Sequence, residues 1–461
     1  MKKNFTKSFA LVCALVFAIS CSNKGTTGPG GGGKPGSGGG NTVGNGYVLP
    51  AGSLSQEEQK QKLDPNKSTK VLFPKGMFES KYFRIPALIT TRNGVVLAAT
   101  DRRYDKTDDL GKRSKIDVIV RRSKDLGNNW EQPITVGPGA KNSDGSDAYG
   151  DGFFINCHNG DVILGYIENP GFQNAAKTKL YRSSDEGISW KEVYSFGVDV
   201  FQSLGVNVQR GFGASGQGLT LRHGANAGQK RLMFAYLAVA ADGIQVLSMI
   251  SDDDGQNWIA GGKSKIDVNF DETKAFELSS GAVMLNHRYQ VSKGGRHWSK
   301  ADSYNSQSFN FQGTDPDVKD PGNNADLVRY EFDGEAIVKG GEKYALFIHS
   351  DAPAKGTWFT ARLNHHVKLT PNEFGNGNGN TSGKYIYDKQ LVNGGEKLYS
   401  GYPAITVLPD GTIGTLTEET PNNAQDQYDI VWRRFNLNWL SDGREYVDYS
   451  TGPRFQKPIT K

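Results

Sequence analysis

Apolar and polar positions along this chain change over in short runs, and the runs stop at clusters of Ser, Asp, Asn and Gly. IDVIV (116–120), TKLYR (178–182) and IQVLSMI (244–250) are each four to eight residues long or close to it, rich in β-branched and aromatic residues, and followed at once by a turn signal. The turn signal is nearly the same each time: SKDLGNNW (123–130), SSDEGISW (183–190) and SDDDGQNW (251–258), all S-x-D-x-G-x-x-W. An aspartate accepts backbone hydrogen bonds, a glycine takes backbone angles that other residues resist, and a tryptophan packs beneath. Asp125, Asp185 and Asp253 are therefore read as hairpin staples and not as catalytic groups. Looser copies stand at VSKGGRHW (291–298) and TPNEFG (370–375). Recurrence of one strand-and-turn unit predicts an all-β repeat architecture, a propeller with one four-stranded sheet per blade.

Composition agrees: 58 glycines and 18 prolines with 36% apolar residues suit many short strands and turns better than helices. A net charge of +5 with scattered Lys and Arg gives no basic stripe, which argues against nucleic-acid binding. At the N-terminus, basic MKKNFTK, apolar SFALVCALVFAIS and then Cys21 read as an export signal. A cysteine directly after Ala18, Ile19 and Ser20 resembles a bacterial lipoprotein processing site, with Ala18 at the more usual leucine position; a plain signal-peptidase site nearby is the alternative. The expected organisation is a lipoprotein-type signal over 1–21 ending at acylated Cys21, a glycine-rich tether and polar lead-in over 22–70, and one folded body over 71–461. Cys13 falls in the signal and Cys21 is the lipidation site, which leaves Cys157 with no disulfide partner.

YFRIPALI (82–89) carries Arg84 in the middle of a strand-like apolar run. A buried arginine needs either a protein carboxylate or an anionic ligand. F-R-I-P ahead of such repeats resembles the bacterial sialidases, or exo-α-neuraminidases, over about Val71 to the end. The resemblance implies a six-bladed β-propeller with Asp-box repeats and an active site at the central axis. Arg84 would be the first of three arginines on the substrate carboxylate. LAATDRRYDKTDD resembles the family's D-x-R followed by an aspartate, which implies sugar contact by Arg103 and acid/base action by Asp109, with Asp108 adjacent. AYGDGFF is similar to the family's Y-G-D-P, with Gly152 where proline is usual, and nominates Asp151 for the substrate pocket or for a turn. DETKAFELSSGAVMLNHR implies Glu272 as the mechanistic carboxylate and Arg288 as the second arginine, with Glu277 structural. RLNHHVKLT implies Arg362 as the third; alignment on HSDAPAKG would instead put Gly356 there, beside Lys355. LYSGYPAITVLPDG resembles the family's Y-S segment and nominates Tyr399 as nucleophile, and strict strand alternation would turn Tyr402 toward packing.

The chemistry implied is hydrolysis of terminal α-ketosidically linked sialic acid from glycoproteins, glycolipids and oligosaccharides, with retention. Guanidinium forks suit a carboxylate beside the bond being broken. A neutral phenol avoids the repulsion that a carboxylate nucleophile would meet, provided that a base takes its proton. No cofactor or metal is expected, and the seven histidines show no ligand spacing; His365 and His366 would face opposite ways. The expected partners are sialylated glycoconjugates, with no nucleic acid, contact with a membrane through the lipid anchor only, and a monomeric state. The expected place is outside the cytoplasm, anchored at the cell surface or in the periplasm. A binding propeller without chemistry and an intramolecular trans-sialidase are the alternatives.

Overall fold

The computed structural model describes residues 42–43, 47–105, 109–110, 115–139, 148–168, 177–213, 215–290, 295–352, 362–376, 385–392, 399–420 and 427–449. Cys13, Cys21, Asp108, Lys355 and Gly356 lie outside them. Among the described residues the fold is all-β, apart from short helical turns. The strands form successive antiparallel arrays. Tyr82–Thr90, Val96–Arg103, Ile116–Ser123 and Ile134–Gly137 make one; Tyr149–Asn156, Val162–Glu168, Lys177–Ser183 and Lys191–Phe196 make the next. Arrays led by Val208–Gly213 and by Phe270–Glu277 follow, joined at their outer strands where Lys263 pairs with Ser308. The last two are led by Ala325–Arg329 and Tyr399–Val407, and Thr69–Phe73 from the N-terminal side completes the final one by pairing with Asp429–Phe435.

Three of the predicted staples are made as their chemistry requires. In the first, the Ser123 hydroxyl donates to Asp125 (2.9 Å) and accepts from Gly127 N (2.8 Å), while Asp125 accepts from Asn129 N (2.7 Å) and the Trp130 indole donates to Gly127 O (3.0 Å). Ser183–Trp190 and Ser251–Trp258 repeat this set of contacts. TPNEFG occupies the same place after a third strand, with Thr370 donating to Asn372 (2.8 Å). VSKGGRHW does not: it falls between the second and third strands of its array, and His297 already begins a strand.

The polar lead-in also differs from expectation. Residues 49–70 belong to the folded body: Leu49 is buried in the core between the last two arrays, Gln59 Nε2 donates to Asp410 O (2.8 Å), and Leu63 N donates to Asn436 (3.1 Å). A Ser55/Glu58 capping box starts the Gln56–Gln59 turn. Composition marked this stretch as polar, but several of its polar groups bond the neighbouring array.

The first strands of successive arrays converge. At one end they enclose a cavity of about 170 Å³ bordered by Thr90, Asn156, Thr220, Glu277, Leu327 and Thr406, one from each leading strand or its vicinity. At the other end, nearest the strands' N-termini, they enclose a cavity of about 310 Å³.

Candidate active site

The larger cavity is built on broken strands. Pairing slips between Arg84 and Ala87, between Gly150 and Phe153, between Phe270 and Thr273, and between Ser400 and Pro403. Each slip is a β-bulge, and a bulge re-aims side chains that regular alternation would turn elsewhere. Ile85 and Asp151 take left-handed φ values of 58° and 52° at two of them. Bulges also tolerate proline, which explains Pro86 and Pro403 inside strands.

Arg84, Arg103, Asp109, Asp151, Glu272 and Arg288 all reach this cavity. Tyr399 does not line it, and the structure corrects that nomination: Tyr402, expected to pack, stands in the cavity wall instead. The strand does not alternate strictly, because Gly401 and Tyr402 form the bulge opposite Glu418 and shift the phase. Tyr402 Oη donates to Glu272 Oε1 and accepts from Arg288 Nη1 (2.6 Å), and Arg288 Nη1 also bonds Glu272 Oε2 (2.5 Å).

Electrostatics within this trio are uneven. Burial acts to raise the Glu272 carboxyl, but Arg288 and the hydrogen bonds from Tyr402 and Arg288 outweigh it and hold Glu272 below the usual carboxylate range. Burial and the neighbouring Glu272 charge push the Tyr402 phenol well above its ordinary value. Glu272 is thus an ionised acceptor facing a neutral phenol. Asp271, next in the chain, is raised to about 7 by burial against the pull of Arg288, 3.3 Å away.

Arg84 has a protein carboxylate as its partner and still borders the cavity. Its Nε donates to fully buried Glu418 (2.8 Å), while its guanidinium lies over the Tyr402 ring at 5.1 Å and borders the cavity. Glu418 escaped sequence reading. Its other contacts are Ile85 N (2.7 Å) and Tyr402 N (2.9 Å), so one carboxylate fixes two bulges and the first arginine together. Arg362 is buried nearby and bonded to Tyr428; burial and the charges of Arg288 and Arg84 lower its pKa. It is not among the residues that line the cavity.

Across the cavity Arg103 bridges buried Asp101 (3.1 Å) and Asp109 (3.3 Å), whose side chain is 58% exposed. Asp101 is raised to about 7 by burial despite Arg103. Asp151 is raised well above the carboxylate range by burial and by the Asp101 and Glu272 charges. Glu277, by contrast, is a staple at the other end: it accepts from Arg222 N (2.7 Å), His223 N (3.0 Å) and Asn226 (2.8 Å). His365 is buried and His366 half-buried, on opposite faces of their strand.

No protein-family model matches the chain. The sialidase of Micromonospora viridifaciens is 28% identical over 372 residues, which are 78% of this chain and 52% of that protein. The exo-alpha-sialidase of Arthroderma benhamiae is 24% identical over 398 residues, 78% of this chain and 85% of that protein. Among solved structures, the Hadza microbial sialidase Hz136 superposes with a TM-score of 0.62 at 20% identity, covering 80% of this chain and 68% of that one. The intramolecular trans-sialidase of Ruminococcus gnavus gives 0.62 at 16% identity, covering 82% and 99%. The chain spans about half the length of the first curated relatives, 52% of the Micromonospora protein and 40% of a Bacteroides fragilis sialidase. The chain is thus similar to sialidases along most of its length, and it shares its all-β fold with solved sialidases. The chain itself is a homologue of the bacterial sialidases.

Proposed function

We propose that the protein is a retaining exo-α-sialidase, and that its arrays are the blades of a six-bladed propeller with the active site at one mouth of the axis. The observation that supports it most is the contact of Tyr402 with Glu272 and Arg288 beside Arg84. A pure carboxylate-binding site needs the arginines alone; a phenol hydrogen-bonded to an ionised carboxylate is the arrangement that activates a weak nucleophile.

The substrate carboxylate enters among Arg84, Arg288 and Arg362 and displaces none of the Glu418 contact that orients Arg84. The Tyr402 oxygen bonds to the anomeric carbon as its proton passes to Glu272. The bond to the leaving oxygen breaks, and that oxygen takes a proton from Asp109. In the second half Asp109 takes a proton from water, the resulting oxygen attacks the anomeric carbon, and Tyr402 departs with the proton returned by Glu272. Two displacements retain configuration. Arg103 holds Asp109 at the rim, and Asp151 contributes to the sugar pocket.

Export and anchoring through acylated Cys21, on a glycine-rich tether, complete the proposal; they rest on the N-terminal sequence. Fluorimetry on an aryl α-sialoside tests the activity. Turnover by the wild type and its loss in Tyr402→Phe are expected; binding of sialic acid without turnover would make the protein a lectin-like propeller. A second reading has its own support: a 55-residue stretch is 47% identical to the anhydrosialidase of Macrobdella decora. NMR of the released sugar decides, since free sialic acid means hydrolysis and an anhydro sugar means intramolecular transfer.

A further inference from the structure

The carbonyl of Gly401, one residue before Tyr402, receives three buried side-chain donors from other parts of the chain. Asn323 Nδ2 lies at 2.5 Å, Ser350 Oγ at 2.9 Å and His365 Nε2 at 3.1 Å. Asn323, Ser350 and His365 are all fully buried. A carbonyl oxygen has two lone pairs, so three convergent donors exceed what backbone satisfaction requires. Because Gly401 O can only accept, His365 must carry its proton on Nε2. Burial lowers the His365 pKa to about 3, so the ring is a neutral donor at any working pH.

The other side of the same peptide is held as firmly. Tyr402 N donates to Glu418 Oε2 (2.9 Å), and a Cβ on Gly401 would fall 2.0 Å from that oxygen, so no larger residue fits. Ser400 N donates to Arg362 O (3.0 Å), and Arg288 Nε donates to Gly322 O (2.7 Å) in the turn that presents Asn323. The peptide that carries the tyrosine is therefore tied to the segments that carry two of the arginines. None of the three donors reaches the cavity.

We infer that Asn323, Ser350 and His365 are positioning residues for the reaction: they hold the Gly401 carbonyl so that the bulge presents the Tyr402 hydroxyl to Glu272 and Arg288. The inference rests on Tyr402 being the nucleophile. A bulge is the least constrained part of a strand, and a displacement of about 1 Å at a reacting atom can cost on the order of 10²-fold in rate. Binding of the substrate carboxylate is left to the arginines, so the three donors act on kcat and not on KM.

The test is steady-state kinetics of the full-length protein on an aryl α-sialoside, with melting temperatures alongside. His365→Ala should lower kcat by about 10²-fold with KM within about 3-fold. His365→Gln, which returns an amide donor, should recover most of the loss. All variants should keep the wild-type pH profile between about pH 5 and 9, because a neutral His365 has no titration there. Ser350→Ala removes one donor without removing a ring and decides by the same split if His365→Ala does not fold. Unchanged kcat with lowered melting temperature in these variants, or a loss confined to KM, overturns the inference and leaves the sialidase reading standing. A wild type without turnover overturns both.

Discussion

Near Thr90 and Glu277, at one end of the converging strands, cations and carboxylates meet as partners. Arg92 and Arg222 grip Asp333 at 2.6 and 2.7 Å, at the tip of a tight hairpin over 331–336, and His223 meets Glu331 at 3.0 Å. At the other end Arg362 is disfavoured as a cation by Arg288 and Arg84, Asp151 is disfavoured as an anion by Asp101 and Glu272, and four strands are bulged. Both ends use arginine, aspartate and glutamate. Both ends pair cations with carboxylates, but only the second also holds Arg362 and Asp151 against like charges, which marks a place prepared for a ligand.

That contrast can be broken by substitution. Tyr402→Phe should lower kcat by about 10³-fold or more, while Tyr399→Phe stays within about 3-fold, as fluorimetry on an aryl α-sialoside would show. Next comes Glu418→Gln, which loosens Arg84 and the bulge at Tyr402 together. It should cost on the order of 10²-fold in kcat/KM and raise KM, in contrast to the donors on Gly401. Asp109→Ala should impair substrates with sugar leaving groups by about 10²-fold and impair an activated aryl leaving group far less, since only the former needs a proton.

At the opposite end the expectation reverses. Asp333→Ala leaves Arg92 and Arg222 facing each other and should lower stability by about 1.5–3 kcal/mol in urea unfolding, with kcat/KM within about 2-fold. A loss of activity as large as that of Glu418→Gln would erase the distinction between the two ends. The smallest effect is in pH. Asp101 and Asp271 bind protons more tightly folded, at about 7, than unfolded, at about 3.9, so their contribution to stability is full at low pH and lost as pH rises through that window. Asp101→Asn, which lacks this loss, should therefore gain melting temperature relative to the wild type as pH rises from about 4 to about 7.

Much of this was visible in the residues. The boxes ending in Trp130, Trp190 and Trp258 are local, so their turn chemistry and the all-β class follow from a few neighbouring positions. Arg84, Glu272 and Arg288 were found through fixed short motifs, and the fold brings them to one cavity. Tyr402 was missed because alternation assumes an unbroken strand. The signal that could have found it is Pro403, a proline inside a strand that marks a break in the ladder beside Tyr402, as Pro86 does beside Ile85. Glu418 was missed for a different reason. It lies 334 residues from Arg84, and nothing local in TLTEE tells which glutamate turns inward. The 49–70 segment was misjudged because polar residues that bond a distant array look the same in sequence as solvated ones.

As the nucleophile, Tyr402 must form a covalent bond to the sugar. A sialosyl fluoride carrying an electron-withdrawing fluorine on the ring slows the second displacement, so the covalent species should accumulate. After quenching, peptide mass spectrometry with fragment-ion localisation should find the added sugar on Tyr402. A turning-over enzyme with the adduct on Tyr399, on Glu272, or on no residue at all would contradict the assignment.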